Sequence, residues 1–202
     1  MVDLYEFFEA LNKASQPDDI INPCTSGMTV IVALQTWKVK KGQRFATNFV
    51  LGEMGAGLPH SIGAALATGK RVIHVEGDGG FQLNIQELET VRRLNLPIII
   101  FITNNNGYLS IRQSQMKHFG RLTGADPSSG FTMPGLEKIA NAYDLPYFDI
   151  KDGELDKISE ILNNAAPPII VEVFSDPDQQ YRHRVESKLV NGKMTSGRLE
   201  DV

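Results

Sequence analysis

Residues 71–108 read RVIHVEGDGGFQLNIQELETVRRLNLPIIIFITNNNGY. Two apolar runs, Arg71–Glu76 and Pro97–Thr103, each give way to a short polar loop containing glycine: GDGG after the first, NNNG after the second. The second run is continuous and β-branched, which suits a strand covered on both faces of a parallel sheet. Between the runs, Asn84–Asn95 places Ile85, Leu88, Val91 and Leu94 at helical spacing. The stretch therefore predicts strand, helix and parallel strand. Asp78 and Asn105 each fall just past a strand end.

The flanking sequence keeps the same alternation. Val2–Ala14 is an amphipathic helix with Leu4, Phe7, Phe8 and Leu11 on one face, and it breaks at Gln16-Pro17-Asp18. A short strand begins at Ile20-Ile21, a helix covers Thr29–Val39, and a strand covers Phe45–Val50. Gly52–Thr68, rich in Gly and Ala, reads as a loop followed by a tightly packed helix. After the central unit come a helix over Pro134–Tyr143 with proline in its first turn, a strand over Tyr147–Ile150, a helix over Glu154–Asn163 and a last strand over Pro168–Phe174. The expected fold class is α/β, an open and mostly parallel sheet with helices on both faces. Hydrophobic periodicity fades after Asp176, so residues 1–175 are expected to form one domain and 176–202 an irregular tail.

Composition narrows the function classes. The 202 residues, 42% hydrophobic and 22% charged, are enough for one domain with a full core. A net charge of −4 with scattered basic residues gives no electrostatic case for nucleic acid or an anionic membrane. The basic residues near the end (Arg182, Arg184, Lys188, Lys193 and Arg198) read as a solvated tail. A single cysteine, Cys24, excludes an intrachain disulfide and fits a reducing, cytoplasmic setting. The opening MVDLYEFFEALNKA lacks the basic and long apolar regions of a signal peptide, and the longest apolar run, Leu96–Ile102, is too short to span a bilayer. No two histidines have metal-ligand spacing. His60, after the GAGLP loop, is the one placed where it could face a site. His74 reads as a buried, hydrogen-bonded strand residue, and His118 and His183 as surface residues. Trp37 reads as core and Cys24 as a small buried side chain.

In an open parallel sheet, ligands sit beyond the carboxyl ends of the strands. The dinucleotide motif GxGxxG is absent, because Gly55-Ala56-Gly57 runs on into Leu58, Pro59 and His60. A P-loop is absent too: Gly63 and Gly69 are separated by five residues, and the segment precedes a strand where a P-loop follows one. A divalent cation bound to a diphosphate fits better. Magnesium takes oxygen ligands in an octahedron and keeps phosphate oxygens in its shell. Asp78 offers a charged oxygen, Asn105 a neutral one, and the carbonyl of Asn106 or Gly107 a third. Gly77, Gly79 and Gly80 allow close backbone approach, and their N–H groups open the next helix toward an anion.

GDGG followed by a paired asparagine 27 residues after the acid resembles the thiamine diphosphate motif of the acetolactate synthase and pyruvate decarboxylase family. The longer segment LGEMGAGLPHSIGAALATGKRVIHVEGDGGFQLNIQELETVRRLNLPIIIFITNNNGY is similar to the C-terminal, diphosphate-binding domain of those enzymes almost end to end, and the resemblance extends from about Val2 to Phe174. It implies a thiamine diphosphate-binding fold. It implies that Asp78 and Asn105 ligate Mg2+ through side chains and Gly107 through its carbonyl, and that Gly79 and Gly80 contact the diphosphate. Ser26 and Gly27, in CTSGM, fall at a second diphosphate loop. Met54, in GEMGAG, falls where an apolar side chain props the cofactor into a bent shape. The backbone near Gly52 and Met54 would accept a hydrogen bond from its aminopyrimidine.

The resemblance also implies a decarboxylation of a 2-oxo acid, followed by transfer of the resulting enamine to a second carbonyl. The runner-up is the cofactor-binding subunit of a split 2-oxo acid decarboxylase of the sulfopyruvate or phosphonopyruvate type, and a third reading is a binding module inert without its partner. The glutamate that activates the cofactor belongs, in this family, to a separate pyrimidine-binding domain or subunit. Glu53 and Glu87 are poor substitutes, one in the wrong loop and the other a surface charge on a helix. A homo- or hetero-oligomer, dimer or tetramer, is therefore expected, and the chain reads as a fragment of a longer protein or as one member of a split pair. Ser114 stands where acetolactate synthases of amino-acid pathways carry a tryptophan. Ile111 stands where pyruvate decarboxylases carry a catalytic glutamate, so both are candidate substrate-pocket residues.

Overall fold

The computed structural model describes residues 1–182, 185 and 187–197. Six strands form one all-parallel sheet: β1 (Ile20–Asn22), β2 (Arg44–Phe45), β3 (Val72–Gly77), β4 (Ile98–Asn104), β5 (Tyr147–Ile150) and β6 (Ile169–Phe174), in the order β2-β1-β3-β4-β6-β5. The helices are α1 (Leu4–Ala14), α2 (Gly27–Thr36), α3 (Gly57–Thr68), α4 (Asp78–Phe81), α5 (Leu88–Arg93), α6 (Leu109–Phe119), α7 (Leu136–Ala142) and α8 (Lys157–Asn164). They cover both faces of the sheet, as the alternating pattern predicts.

Two apolar layers hold the sheet between them. One side joins Ile73, Val75, Ile99, Phe101 and Val171 to Phe7, Phe8 and Leu11 of α1, with Phe101 and Phe7 packed edge-to-face at 5.7 Å. The other joins Val72, Ile98, Ile100, Ile102 and Ile170 to Leu58 and Ile62 of α3 and Leu88 and Val91 of α5. Successive β4 residues alternate between the two layers and all are buried from Ile98 to Thr103, which explains the unbroken apolar run.

The chain leaves β1 toward the β2 edge and leaves β3 toward β4, so strand order reverses between β1 and β3. An open parallel sheet forms its ligand crevice at such a switch point, beyond the carboxyl ends of the strands. The loops after β1, β3 and β4 converge there.

Several expected elements differ. The strand expected over Phe45–Val50 stops at Phe45, because its partner β1 is only three residues long and the Thr47 hydroxyl turns to donate to the Cys24 carbonyl at 2.5 Å. Phe49, Val50 and Leu51 are left exposed, Val50 at 98%. The helix expected over Asn84–Asn95 is two pieces, a 3₁₀ segment Gln82–Glu87 and α5, and α4 precedes them. Asn84 sits at φ −133° in the break and donates its amide to the Gly55 carbonyl at 2.9 Å, a tertiary hydrogen bond to the loop before α3. α7 starts at Leu136 with Gly135 as its N-cap, so Pro134 lies outside its first turn. α8 starts at Lys157, because Glu154 instead accepts the Lys151 N–H in a preceding turn.

The tail expected to be irregular contains an antiparallel hairpin, β7 (Ser187–Val190) and β8 (Lys193–Ser196). Asn191 and Gly192 both take positive φ, 51° and 75°, as a two-residue hairpin turn demands. Arg182 is not a free solvated charge: it lies over the Tyr5 ring at 4.4 Å and pairs with Asp3 at 3.3 Å. His183, Arg184 and Arg198 lie outside the described residues.

Candidate cofactor site

A cleft of about 310 Å3 opens at the switch point. Its walls include Ser26, Gly27, Gly52, Met54, Gly77, Asp78, Gly79, Gly80, Asn105 and Gly107. All ten positions singled out for cofactor contact thus border one space, with Ile111 at its rim. Ser114 does not join them: it is exposed, one turn further along α6. His60 is exposed and also outside the cleft, because the first turn of α3 directs it to solvent.

The residues converge for local reasons. Asp78 begins α4 directly after β3, and its Oδ1 accepts the Gly79 N–H at 2.8 Å. Its Oδ2 accepts the Gly107 N–H from the loop after β4, at 2.9 Å. The β3 and β4 ends are in register, Gly77 beside Thr103, so the two loops rise side by side. Asn106 at φ 64° and Gly107 at φ 132° bend the second loop back. A side chain at Gly107 would press on the Ala125 carbonyl and come within 3.2 Å of Asp126 Cα. Gly79 is pinned by the Tyr108 ring, whose Cδ1 would lie 2.7 Å from an added Cβ. Tyr108 itself packs against Phe131, with ring centroids 4.4 Å apart and planes tilted by 41°.

The electrostatics fit a cation. Asp78 is 2% exposed, and burial pushes its carboxyl up to about 6 from an ordinary 3.8. The Gly107 and Gly79 N–H groups, the Arg112 charge and the Asn105 N–H pull it the other way without overcoming burial. Asn105 is buried, and its Oδ1 has no hydrogen-bond partner. An unpaired buried oxygen next to a desolvated carboxylate is costly unless something positive binds there. Among the described residues no group of three or more His, Cys, Asp or Glu could hold a metal. A cation here would draw on one carboxylate, one amide, a loop carbonyl and oxygens from outside the protein, a ligand set of the kind Mg2+ accepts with a diphosphate.

The opposite wall suits an anion. Ser26 is the N-cap of α2 but makes no side-chain capping bond, so the first N–H groups of that helix face the cleft without a side-chain cap. Met54, 43% exposed, stands at the mouth. Glu53 and Glu87 are absent from the cleft wall; their carboxylates accept from Asn48 and Thr90 at 3.0 and 2.9 Å.

Four cleft features lay outside the sequence expectation. Glu76 is 2% exposed yet borders the cleft, with Oε2 at 3.1 Å from His74 Nε2. That bond bears out His74 as a buried, hydrogen-bonded strand residue. Thr29 shares a hydrogen bond with Thr103 at 2.9 Å, tying α2 to β4 beneath the cleft. Tyr108 forms a side wall, and Arg112 buttresses the loop from behind. Cys24 is buried, and burial followed by the Glu76 charge pushes its thiol well above the ordinary range, which suits an inert side chain.

Fold and cleft together define an open parallel α/β domain with a ligand crevice at the switch point of its sheet. Residues 25–173 match the family model described as thiamine pyrophosphate enzyme, C-terminal TPP binding domain, and the chain belongs to that family. It is similar to the acetolactate synthase large subunit of Porphyra purpurea, 36% identical over 124 residues that make up 58% of this chain and 21% of the relative. It is similar to that of Cyanidium caldarium, 30% identical over 185 residues, 84% of this chain and 31% of the relative. It is also similar to acetolactate synthase 2, chloroplastic, of Zea mays, 26% identical over 193 residues, 86% and 30%. The chain thus spans between about a fifth and a third of these relatives' length. Among the described residues no helix is long and apolar enough to cross a membrane.

Proposed function

We propose that the chain, over residues 1–175, is the thiamine diphosphate- and Mg2+-binding part of an acetolactate synthase-like enzyme. Such an enzyme decarboxylates a 2-oxo acid and joins the remaining carbon fragment to a second carbonyl compound. The observation that carries the reading is the pairing of Asp78, desolvated and held by the Gly107 N–H, with the unpartnered Asn105 Oδ1 in one cleft.

Asp78, Asn105 and the Gly107 carbonyl would hold Mg2+. The backbone of Gly79, Gly80, Ser26 and Gly27 would take the diphosphate, with Gly77 giving the chain its closest approach. Met54 and the backbone at Gly52 would orient the organic part. Once bound, the cofactor supplies the electron sink for decarboxylation and carbon–carbon bond formation. The chain's own share is to bind it, fix its posture and keep water from its reacting face. Ile111 puts an apolar group at the rim, where carboligation benefits from a dry wall.

A pyrimidine-binding domain or subunit would supply the activating carboxylate, in a dimer or tetramer. Exposed Phe49, Val50, Leu51 and Met54 beside the cleft support a partner on that side. A reducing, cytoplasmic setting belongs to the same proposal, supported by the lone buried Cys24.

Equilibrium dialysis tests the binding reading. The chain is expected to retain thiamine diphosphate with Mg2+ and to release it with a chelator, while unphosphorylated thiamine is not retained. Equal retention of both compounds, or indifference to Mg2+, would contradict it.

A further inference from the structure

Arg112 is nearly buried, 9% exposed, on the first turn of α6. A buried guanidinium normally sits against a carboxylate, yet among the described residues every hydrogen bond it makes ends on a backbone carbonyl. One terminal nitrogen donates to Asn106 O at 3.2 Å, and the other donates to Asn105 O at 3.0 Å and to Pro177 O at 2.8 Å. The first two carbonyls belong to the loop that carries the amide of Asn105 into the cleft. The third belongs to the segment that follows β6. Neighbouring bonds repeat the link: Gln113 donates to Gln179 O at 2.8 Å, and Ser110 shares a bond with Tyr181 at 3.0 Å.

The loop is also held on its other side. Glu172, buried on β6, accepts from Asn104 at 2.5 Å and from Tyr147 at 2.5 Å, and Asn104 Oδ1 accepts the Asn106 N–H at 3.0 Å. Asn105 therefore projects from a loop whose carbonyls are fixed by Arg112 and whose preceding residue is fixed by Glu172. Arg112 does not border the cleft; it acts through the backbone.

We infer that Arg112 is a positioning residue for the cation-binding loop, one that presets Asn105 Oδ1 beside the Asp78 carboxylate by bridging three backbone carbonyls. This role presupposes the cation site proposed above. The planar fork of arginine is what makes the bridge possible; a lysine ammonium carries charge to the same place but offers a point donor that cannot span all three oxygens.

The test is Mn2+ titration of the chain in the presence of thiamine diphosphate, read by loss of the free-ion electron paramagnetic resonance signal. It is run on wild type, Arg112→Lys, Arg112→Gln and Asp78→Ala, with melting temperatures measured with and without both ligands. Both Arg112 variants are expected to bind Mn2+ about 10- to 100-fold more weakly, the usual cost of removing an outer-sphere support of a metal ligand. If Asp78→Ala loses Mn2+ while Arg112→Lys binds as wild type, the positioning role is overturned and the cation site stands. If Asp78→Ala binds as wild type, the cation site itself is overturned. Should Arg112→Gln fail to fold, Arg112→Lys, which keeps stem and charge, decides. A Lys variant that melts earlier yet gains as much from Mn2+ and cofactor as wild type makes Arg112 merely structural, and that too overturns the inference.

Discussion

Asp78 Oδ2 accepts the backbone N–H of Gly107 at 2.9 Å, across 29 residues of sequence and between the loops of two adjacent strands. The bond ties the loop after β3 to the loop after β4 at the cleft. Burial around the same carboxylate outweighs the pull of this bond on its proton, and that burial sets the site's dependence on pH.

For the metal-free chain, the Asp78 carboxyl titrates near 6 when folded against an ordinary 3.8. A raised folded value in an acid means that the folded state holds the proton more tightly. Its contribution favours folding below about 3.8 and is lost as pH rises through about 6, a change of at most about 3 kcal/mol. Cation binding uses the ionised form, so it gains over the same window. Mg2+ affinity in the presence of thiamine diphosphate should fall roughly tenfold from pH 7.5 to pH 5 through this group alone. Asp78→Asn, which cannot titrate, separates that fall from the phosphates' own protonation. Identical pH profiles for wild type and Asp78→Asn would remove Asp78 from the account.

Gly79 and Tyr108 should prove coupled. Gly79→Ala puts a methyl into the Tyr108 ring and should cost about 1–3 kcal/mol in urea denaturation, as overpacking does. In a Tyr108→Ala background the same change should cost at least about 1 kcal/mol less. Simple additivity of the two substitutions would mean that Gly79 is present for some reason other than the ring above it.

The isolated chain should not turn over pyruvate. Among the described residues its cleft carries one glutamate, Glu76, and that carboxylate is already engaged by His74. Purified chain with thiamine diphosphate and Mg2+ is expected to release no CO2 and form no acetolactate above a protein-free control. Measurable product, abolished by Glu76→Gln, would show that the chain supplies its own activating carboxylate.

Much of this site is written locally in the sequence. Asp78 and Asn105 stand out because each follows an apolar strand, and strand ends in an open parallel sheet are where ligands bind. What local patterns miss is what tertiary packing supplies. Glu76 reads as one more alternating strand residue until the strand meets Gly57 and Gly80. Arg112 lies on α6, where only Leu109 and Arg112 are buried, so there is no apolar period to mark the helix. Ser114 and His60 sit near the site in sequence and face away from it in space, because a helical turn after the loop rotates each of them outward. The β7–β8 hairpin does carry a local signal, Asn191-Gly192, but it lies in a tail where apolar periodicity has faded.

The most direct measurement is calorimetric titration of thiamine diphosphate with Mg2+ into wild-type chain, Asp78→Ala and Asn105→Ala. Wild type should bind with a Mg2+ requirement, and each substitution should weaken binding at least tenfold, the order expected when a carboxylate or amide oxygen is taken from a metal's shell. Binding that is equal in all three proteins, or that persists unchanged without Mg2+, would contradict the assignment of Asp78 and Asn105 as two sides of one cation site.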